Sequence, residues 1–375
     1  MHPPKILGLI INPIAGLGGR VGLKGTDGPD ILERAHALGA IPHAQERTRE
    51  ALTVLAAIKD SFHLLTCPGD MGERAARAAG LEINLVVPYS FMGRTSARDT
   101  IAAARALRDA GADLLLFVGG DGTARDIFSA VGEDLVALGI PAGVKIHSAV
   151  FGVNPRIGGE IASDFLLDRI REIRSCEVMD IDEREYREGR LSAQLFGYLR
   201  VPYARQRLQA QKMRSPGHES RDQEAAAAEV LRSMGRDTLY IIGPGTTTRA
   251  VLEAMGLQGT LLGVDVVRNR EMVAKDVNES QLLSMVEPGS TQLLITPIGG
   301  QGYILGRGNQ QISPRILSQL ERTDLRIIAT PHKLHSLHGA PLRVDTGDPD
   351  LDIQLSGYYR VTTGLGEAVI YKVKR

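Results

Sequence analysis

Five consecutive apolar residues, Leu114-Leu115-Leu116-Phe117-Val118, run without a break into Gly119-Gly120-Asp121-Gly122-Thr123. A run with no polar alternation predicts a strand buried on both faces, as in parallel sheets. Ala124 to Val131 then has helical character, so the turn falls at the carboxyl end of a buried strand, where open α/β sheets receive ligands. The glycines let a ligand approach the backbone closely. Asp121 is the one acid in the turn, and Thr123 adds a hydroxyl. A carboxylate beside a backbone-lined anion site suits phosphoryl transfer, because it can take a proton from an attacking hydroxyl. The same residues also read as a Gly-rich turn with Asp121 or Thr123 as N-cap.

The arrangement of strand, glycine loop and helix recurs. Ile6 to Ile11 leads into Asn12-Pro13-Ile14-Ala15-Gly16-Leu17-Gly18-Gly19-Arg20, a second candidate phosphate loop. It lacks the Lys-Ser/Thr ending of a P-loop and the glycine spacing of the dinucleotide fingerprint. Lys24 and Thr26 follow and lengthen it; a surface loop after an edge strand is the plainer reading. Leu239 to Ile242 leads into Gly243-Pro244-Gly245-Thr246-Thr247-Thr248, whose donors at a helix start suit an anion or else serve as caps. Gln292 to Thr296 ends at Thr296-Pro297-Ile298-Gly299-Gly300-Gln301-Gly302-Tyr303 and continues to Gly306-Arg307-Gly308-Asn309-Gln310-Gln311. Polar, Gly-rich segments after buried strands tend to sit at sites.

Between these loops the periodicity predicts helices over 30–38, 48–61, 72–79, 96–110 and 158–174, with further strands over 62–67, 84–87, 259–267 and 325–329. Ser96 and Asp99 have the spacing of a capping box. Alternation over the first 150 residues implies right-handed βαβ units. The expected fold is α/β: an N-terminal doubly wound parallel-sheet domain over 1–150 and a C-terminal β-rich α/β domain over 151–375. The segment 204–235, rich in Arg, Gln and Ala, reads as a helical excursion, exposed or at a subunit contact. The last strands, 358–363 and 367–373, form a hairpin that could return to the N-terminal domain.

Composition narrows the partners. The 44 basic and 44 acidic residues cancel, so no field favours nucleic acid or a membrane surface. Forty-two glycines with no Trp point to backbone-lined loops and small-molecule ligands. Cys67 and Cys176 have no metal or redox spacing and read as isolated buried thiols. No signal-peptide h-region or membrane-length apolar run is evident, and a cytoplasmic homodimer or homotetramer is expected. His332, His335 and His338 have three-residue spacing but no Asp, Glu or Cys beside them. They read as surface histidines, and no protein-borne metal site is expected.

Asn12-Pro13-x-Ala15-Gly16-x-Gly18-Gly19, Gly119-Gly120-Asp121-Gly122-Thr123 and Thr296-Pro297-x-Gly299-Gly300-x-Gly302-Tyr303 together resemble the ATP-NAD kinase family. That family shares a superfamily with diacylglycerol, sphingosine and 6-phosphofructo-kinases. The chain looks most like the ATP-NAD/AcoX-type kinases, through Val21 to Asp27 and Arg307 to Gln311. The resemblance implies transfer from ATP, or polyphosphate, to the 2′-hydroxyl of NAD, with Mg²⁺ accompanying ATP. It implies Asp121 as proton acceptor, with Gly119, Gly120, Gly122, Thr123, Asn12, Gly16, Gly18 and Gly19 around the donor phosphates; Lys24 and Thr26 join them from the loop. Thr296, Gly299, Gly300 and Tyr303 would bind substrate, as would Asn278 and Glu279 in place of the family's Asn-Glu pair. Gly245, Thr246 and Thr247 are added from their own loop chemistry. Ile298-Gly299-Gly300-Gln301 departs from the usual Thr-Gly-Ser-Thr. A kinase for another small hydroxylated metabolite and a non-catalytic nucleotide- or sugar-phosphate-binding regulator are the other readings.

Overall fold

Strand order, more than strand content, positions everything that follows. The computed structural model describes residues 3–23, 29–87, 95–143, 146–181, 193–204, 207–208 and 219–375. The first sheet contains β1 (Lys5–Ile11), β2 (Phe62–Thr66), β3 (Leu85–Val86), β4 (Leu114–Gly119), β5 (Val136–Pro141), β6 (Ile173–Ile181) and β7 (Ala193–Pro202), in the order β3-β2-β1-β4-β5-β7-β6. β1 to β5 are parallel throughout. Every residue of β4 is buried, as its apolar run requires. Right-handed crossovers that progress first one way from β1 and then the other from β4 put their helices on opposite faces. Ala97–Asp109 and Asp121–Val131 pack as one pair, and Ala44–Ala56 and Pro155–Leu166 as the other.

Local signals account for most boundaries. The Asp99 carboxylate accepts the Ser96 N–H at 2.6 Å, so the expected helix begins at its capping box. Two helices differ from expectation. The one expected at 48–61 occupies Ala44–Ala56, because Ala44, Thr48, Ala51, Leu52 and Leu55 make its buried stripe, and a 3₁₀ turn follows at Lys59–Ser61. The one expected at 158–174 occupies Pro155–Leu166. Asn154 caps it by accepting the Ile157 N–H at 2.8 Å, and Asp168 ends the region with φ of 56°.

The boundary drawn at residue 150 moves as well. β6 and β7 pair antiparallel, and β7 pairs with β5, so this hairpin extends the first sheet and the first domain reaches about residue 204.

The second sheet contains β8 (Leu239–Ile242), β9 (Asp265–Arg268), β10 (Glu271–Ala274), β11 (Thr291–Ile295), β12 (Tyr303–Leu305), β13 (Leu325–Ile328), β14 (Leu342–Val344), β15 (Gly357–Gly364) and β16 (Glu367–Lys374). Its order is β10-β9-β8-β11-β13-β15-β16-β14-β12. β8, β11, β13 and β15 run parallel, which brings their carboxyl ends to one edge. The closing hairpin β15–β16 lies inside this sheet and does not return to the first. The 204–235 segment is no exposed excursion where it is described. Helix Glu219–Arg232 buries Ala226, Ala227 and Val230 with Tyr240, Ile242, Val251 and Leu252, because its small apolar residues recur at helical spacing. Among the described residues no helix is long and apolar enough to cross a membrane.

Candidate active site

The order of the first sheet reverses between β1 and β4, and a crevice opens outside carboxyl ends at such a switch point. Ile11 lies opposite Val118, so the two glycine loops leave the sheet at the same level. Asn12 joins them. Its N–H donates to Val118 O at 3.0 Å, and its Nδ2 donates to Thr123 Oγ1 at 3.0 Å. Thr123 folds back so closely that a Cβ on Gly119 would stand 2.3 Å from Thr123 Oγ1, which is why the strand must end in glycine. Helix Asp121–Val131 closes its first backbone bond from Ala124 N to Gly120 O at 3.0 Å. The N–H groups of Asp121, Gly122 and Thr123 therefore precede its ladder, at the end that attracts anions. The Asn12 loop packs through Gly16 on the Ala142 carbonyl and through Gly19 on Gln310 of the second domain.

Asp121 is buried, and its carboxylate accepts four hydrogen bonds. One oxygen takes the His147 N–H at 2.8 Å and the His147 Nδ1 at 3.1 Å. The other takes the Ser148 N–H at 3.0 Å and the Ser148 hydroxyl at 2.7 Å. Ser148 Oγ in turn accepts the Met179 N–H at 3.0 Å, which ties the pair to β6. Neither His147 nor Ser148 was expected at the site. Their signal was there: a polar pair between Ile146 and Ala149-Val150-Phe151 is polarity inserted into an apolar run.

Second-domain loops meet this crevice. Glu279 N–H donates to Arg20 O at 3.1 Å, so Asn278 and Glu279 sit against the first glycine loop. Asn278 caps its helix by accepting the Gln281 N–H at 3.0 Å, while Glu279 Oε1 is buried without a partner among the described residues. Gln301 Nε2 donates to Ile146 O at 2.9 Å, one residue before His147. Gly299 shares that turn, and the Gly300 N–H donates to Ser336 Oγ at 3.2 Å.

At the carboxyl ends of β8, β11 and β13, buried Lys333 donates to Thr296 Oγ1 at 3.2 Å. Gly245 lies against Thr296, Thr246 accepts from Gln223 Nε2 at 3.2 Å, and the fully buried Thr247 hydroxyl has no partner among the described residues. The burial of Lys333 is a property of the sheet edge, which no local sequence pattern carries. Lys24 and Thr26 lie outside the described residues.

Two expectations change here. Tyr303 is buried and its hydroxyl donates to Val153 O, so it ties the domains together and offers no free hydroxyl to substrate. Burial also pushes its phenol above the usual range. Arg307 and Asn309 of the 306–311 segment serve the fold. Arg307 pairs with Asp345 at 3.0 Å, Asp345 also pairs with Arg47 of the first domain, and Asn309 bonds Ile304 O and Gly306 N at 2.9 Å each.

Residues 7–170 match the model of the ATP-NAD kinase N-terminal domain, and residues 236–373 match that of the ATP-NAD kinase C-terminal domain. The chain belongs to the ATP-NAD kinase family. No curated protein and no solved structure matches it significantly. As a member of this family it is an ATP-dependent phosphotransferase acting on a hydroxyl group. The two matches fall on the two sheets, and the crevice lies where loops of both meet. Among the described residues no three His, Cys, Asp or Glu side chains gather as a metal cage. A divalent cation that travels on donor phosphates asks for few protein ligands.

Proposed function

We propose that the protein phosphorylates the 2′-hydroxyl of NAD with MgATP, giving NADP. The observation that carries this reading is the Asn12–Thr123 hydrogen bond, which fuses the two strand-end loops into one cradle at the switch point. Phosphoryl transfer needs little covalent help from protein; positioning and charge neutralisation supply the rate. Asn12, Gly16, Gly18, Gly19, Gly119, Gly120, Gly122 and Thr123, with Lys24 and Thr26, hold the donor phosphates. Asp121 takes the proton of the attacking 2′-hydroxyl. Asn278, Glu279, Thr296, Gly299, Gly300, Gly245, Thr246 and Thr247 receive the dinucleotide. Glu279 Oε1, without a partner among the described residues, suits a ribose or adenine donor, and the Thr247 hydroxyl, likewise without one there, suits a pyrophosphate oxygen.

Purified protein with ATP, Mg²⁺ and NAD is expected to yield NADP. Asp121→Asn is expected to cut turnover by about 10²–10⁴-fold while the protein stays folded. Production of a different phosphorylated alcohol, with no NADP, overturns the acceptor assignment. Ligand-induced thermal stabilisation without any turnover overturns the kinase reading.

A further inference from the structure

The glycines of the Asn12 loop are needed for different reasons. Gly16 and Gly22 have φ of 81° and 76°, a conformation that favours glycine. Gly19 lies outside that region. What takes the place of its side chain is Gln310 of the second domain. A Cβ on Gly19 would stand 3.0, 3.2 and 3.4 Å from Gln310 Cβ, Cγ and Cδ, so the Gln310 stem lies flat against the loop backbone. The neighbouring loop residues are held from the same side. Arg20 O accepts the Glu279 N–H at 3.1 Å, and Gly22 faces Asn278 and Gln311. The first domain holds the other end, through the Asn12–Thr123 bond and the Ala142 carbonyl against Gly16. Between the two ends the Gly19 N–H reaches Gly16 O at 3.5 Å, a long and weak bond. Residues 19–22 therefore take their position from the second domain. Gln310 is itself firmly aimed: Asn309 ties the preceding turn to Ile304 O and Gly306 N, and the Ile312 N–H closes the turn on Asn309 O at 2.9 Å.

We propose that Gln310 is a positioning residue for the phosphoryl donor: its stem sets the place of Gly19 and so aligns the Asn12 loop on the donor phosphates. The inference rests on the kinase reading above. Backbone donors stabilise a phosphate best when they are fixed before it arrives, because no reorganisation is then charged to binding or reaction. A loop rich in glycine is the least able to fix itself, since glycine loses the most conformational freedom on ordering. The second domain supplies the missing constraint as a hydrophobic stem laid on bare backbone. Gln310 thus acts on the donor through Gly19, and its effect falls on ATP and not on the acceptor.

Gln310→Ala tests this in the full chain, with MgATP binding read by calorimetry and turnover by ADP release. The Kd and KM for ATP are expected to rise about tenfold, with the KM for the acceptor changed by less than about twofold and the urea midpoint unchanged. Gln310→Met keeps the stem and loses the amide, and is expected to recover most of the lost ATP affinity. Gly19→Ala is expected to weaken ATP binding in the wild-type background, where the new Cβ meets Gln310. In a Gln310→Gly background the same substitution is expected to cost less than about twofold, because the space is open. Three results each overturn the proposal: a Gln310→Ala Kd for ATP within about twofold of wild type, equal losses in the Ala and Met variants, or a Gly19→Ala loss that ignores residue 310. So does a rise in both KM values together with a lowered urea midpoint, the mark of a merely structural residue. A wild type that binds MgATP but phosphorylates no alcohol overturns the kinase reading, while the Gln310 variants still judge the positioning through the Kd. A wild type that binds no MgATP overturns both.

Discussion

The ion trio Arg47–Asp345–Arg307 is the point at which the two domains depend most on a single side chain, and Asp345→Asn exposes that dependence. Asp345 is 5% exposed, and both guanidiniums beside it are nearly as buried. Removing the one anion of a buried group leaves its cations uncompensated, which costs about 3–5 kcal/mol. Arg47 retains Glu50 at 3.7 Å, which softens its share. Among the described residues Arg307 retains Val153 O at 3.5 Å and the Tyr303 ring at 5.1 Å, and its Nη1 has no partner there. The lower end, about 3 kcal/mol, is therefore expected. In a chain of two domains this size it lowers the melting temperature by roughly 6–12 °C.

Acid gives a second readout with a definite sign. Burial alone would raise the Asp345 carboxyl, but Arg47 and Arg307 outweigh it and hold the group below the usual carboxylate range. A depressed carboxyl contributes stability that is present above its unfolded value, near about 3.9, and lost as pH falls through the folded one. The stability gap between wild type and variant, measured by urea titration, is expected to stay level from neutrality to about pH 5 and to shrink below about pH 4. A gap under about 1 kcal/mol, the scale of a solvated ion pair, would refute the reasoning. So would one that widens in acid.

Two further outcomes follow from single contacts. Gly119→Ala places a Cβ 2.3 Å from Thr123 Oγ1, so Thr123 must leave Asn12. A loss of about 1–3 kcal/mol in stability and a raised KM for ATP are expected, and a melt and KM equal to wild type would count against the cradle. Burial pushes the Cys67 thiol up to about 12, and the half-buried Cys176 is raised by the same cause. At pH 8, iodoacetamide is expected to leave Cys67 unlabelled in the native protein and to label it in urea. Equal rates in the two states, read by mass spectrometry, would show that Cys67 is not in the core.

What the chain revealed in advance was local. The apolar run of β4, the Ser96–Asp99 cap and the glycine loops after β1 and β4 each write their structure within a few residues. The β6–β7 hairpin joins the first sheet by pairing β7 with β5, a contact some 60 residues apart that no local pattern carries. The 306–311 segment misled for a related reason. Its polarity was visible, but whether a polar group faces a ligand or another domain depends on Arg47, Asp345 and Val153, which lie far along the chain.

Burial and partnership together separate the two cases where polarity alone does not. Asn309 and Tyr303 are buried, and each finds its acceptor within the protein, so their polarity is consumed by the fold. His147 Nε2, Thr247 Oγ1 and Glu279 Oε1 are buried and find none among the described residues. His147 and Thr247 follow the ends of parallel strands, and Glu279 sits against the loop that follows β1. A fold that desolvates a polar atom and leaves it unpaired forgoes about 1–3 kcal/mol at each such place. A ligand that brings the missing donor or acceptor recovers that cost, whereas Arg307 Nη1, equally unpaired among the described residues, lies in the domain junction, so an orphan atom marks a site only together with its place in the fold. By place and partnership together, the glycine loops after β1 and β4 form the walls of the crevice, and the buried Asp121 carboxylate is held between them by the His147 and Ser148 N–H groups.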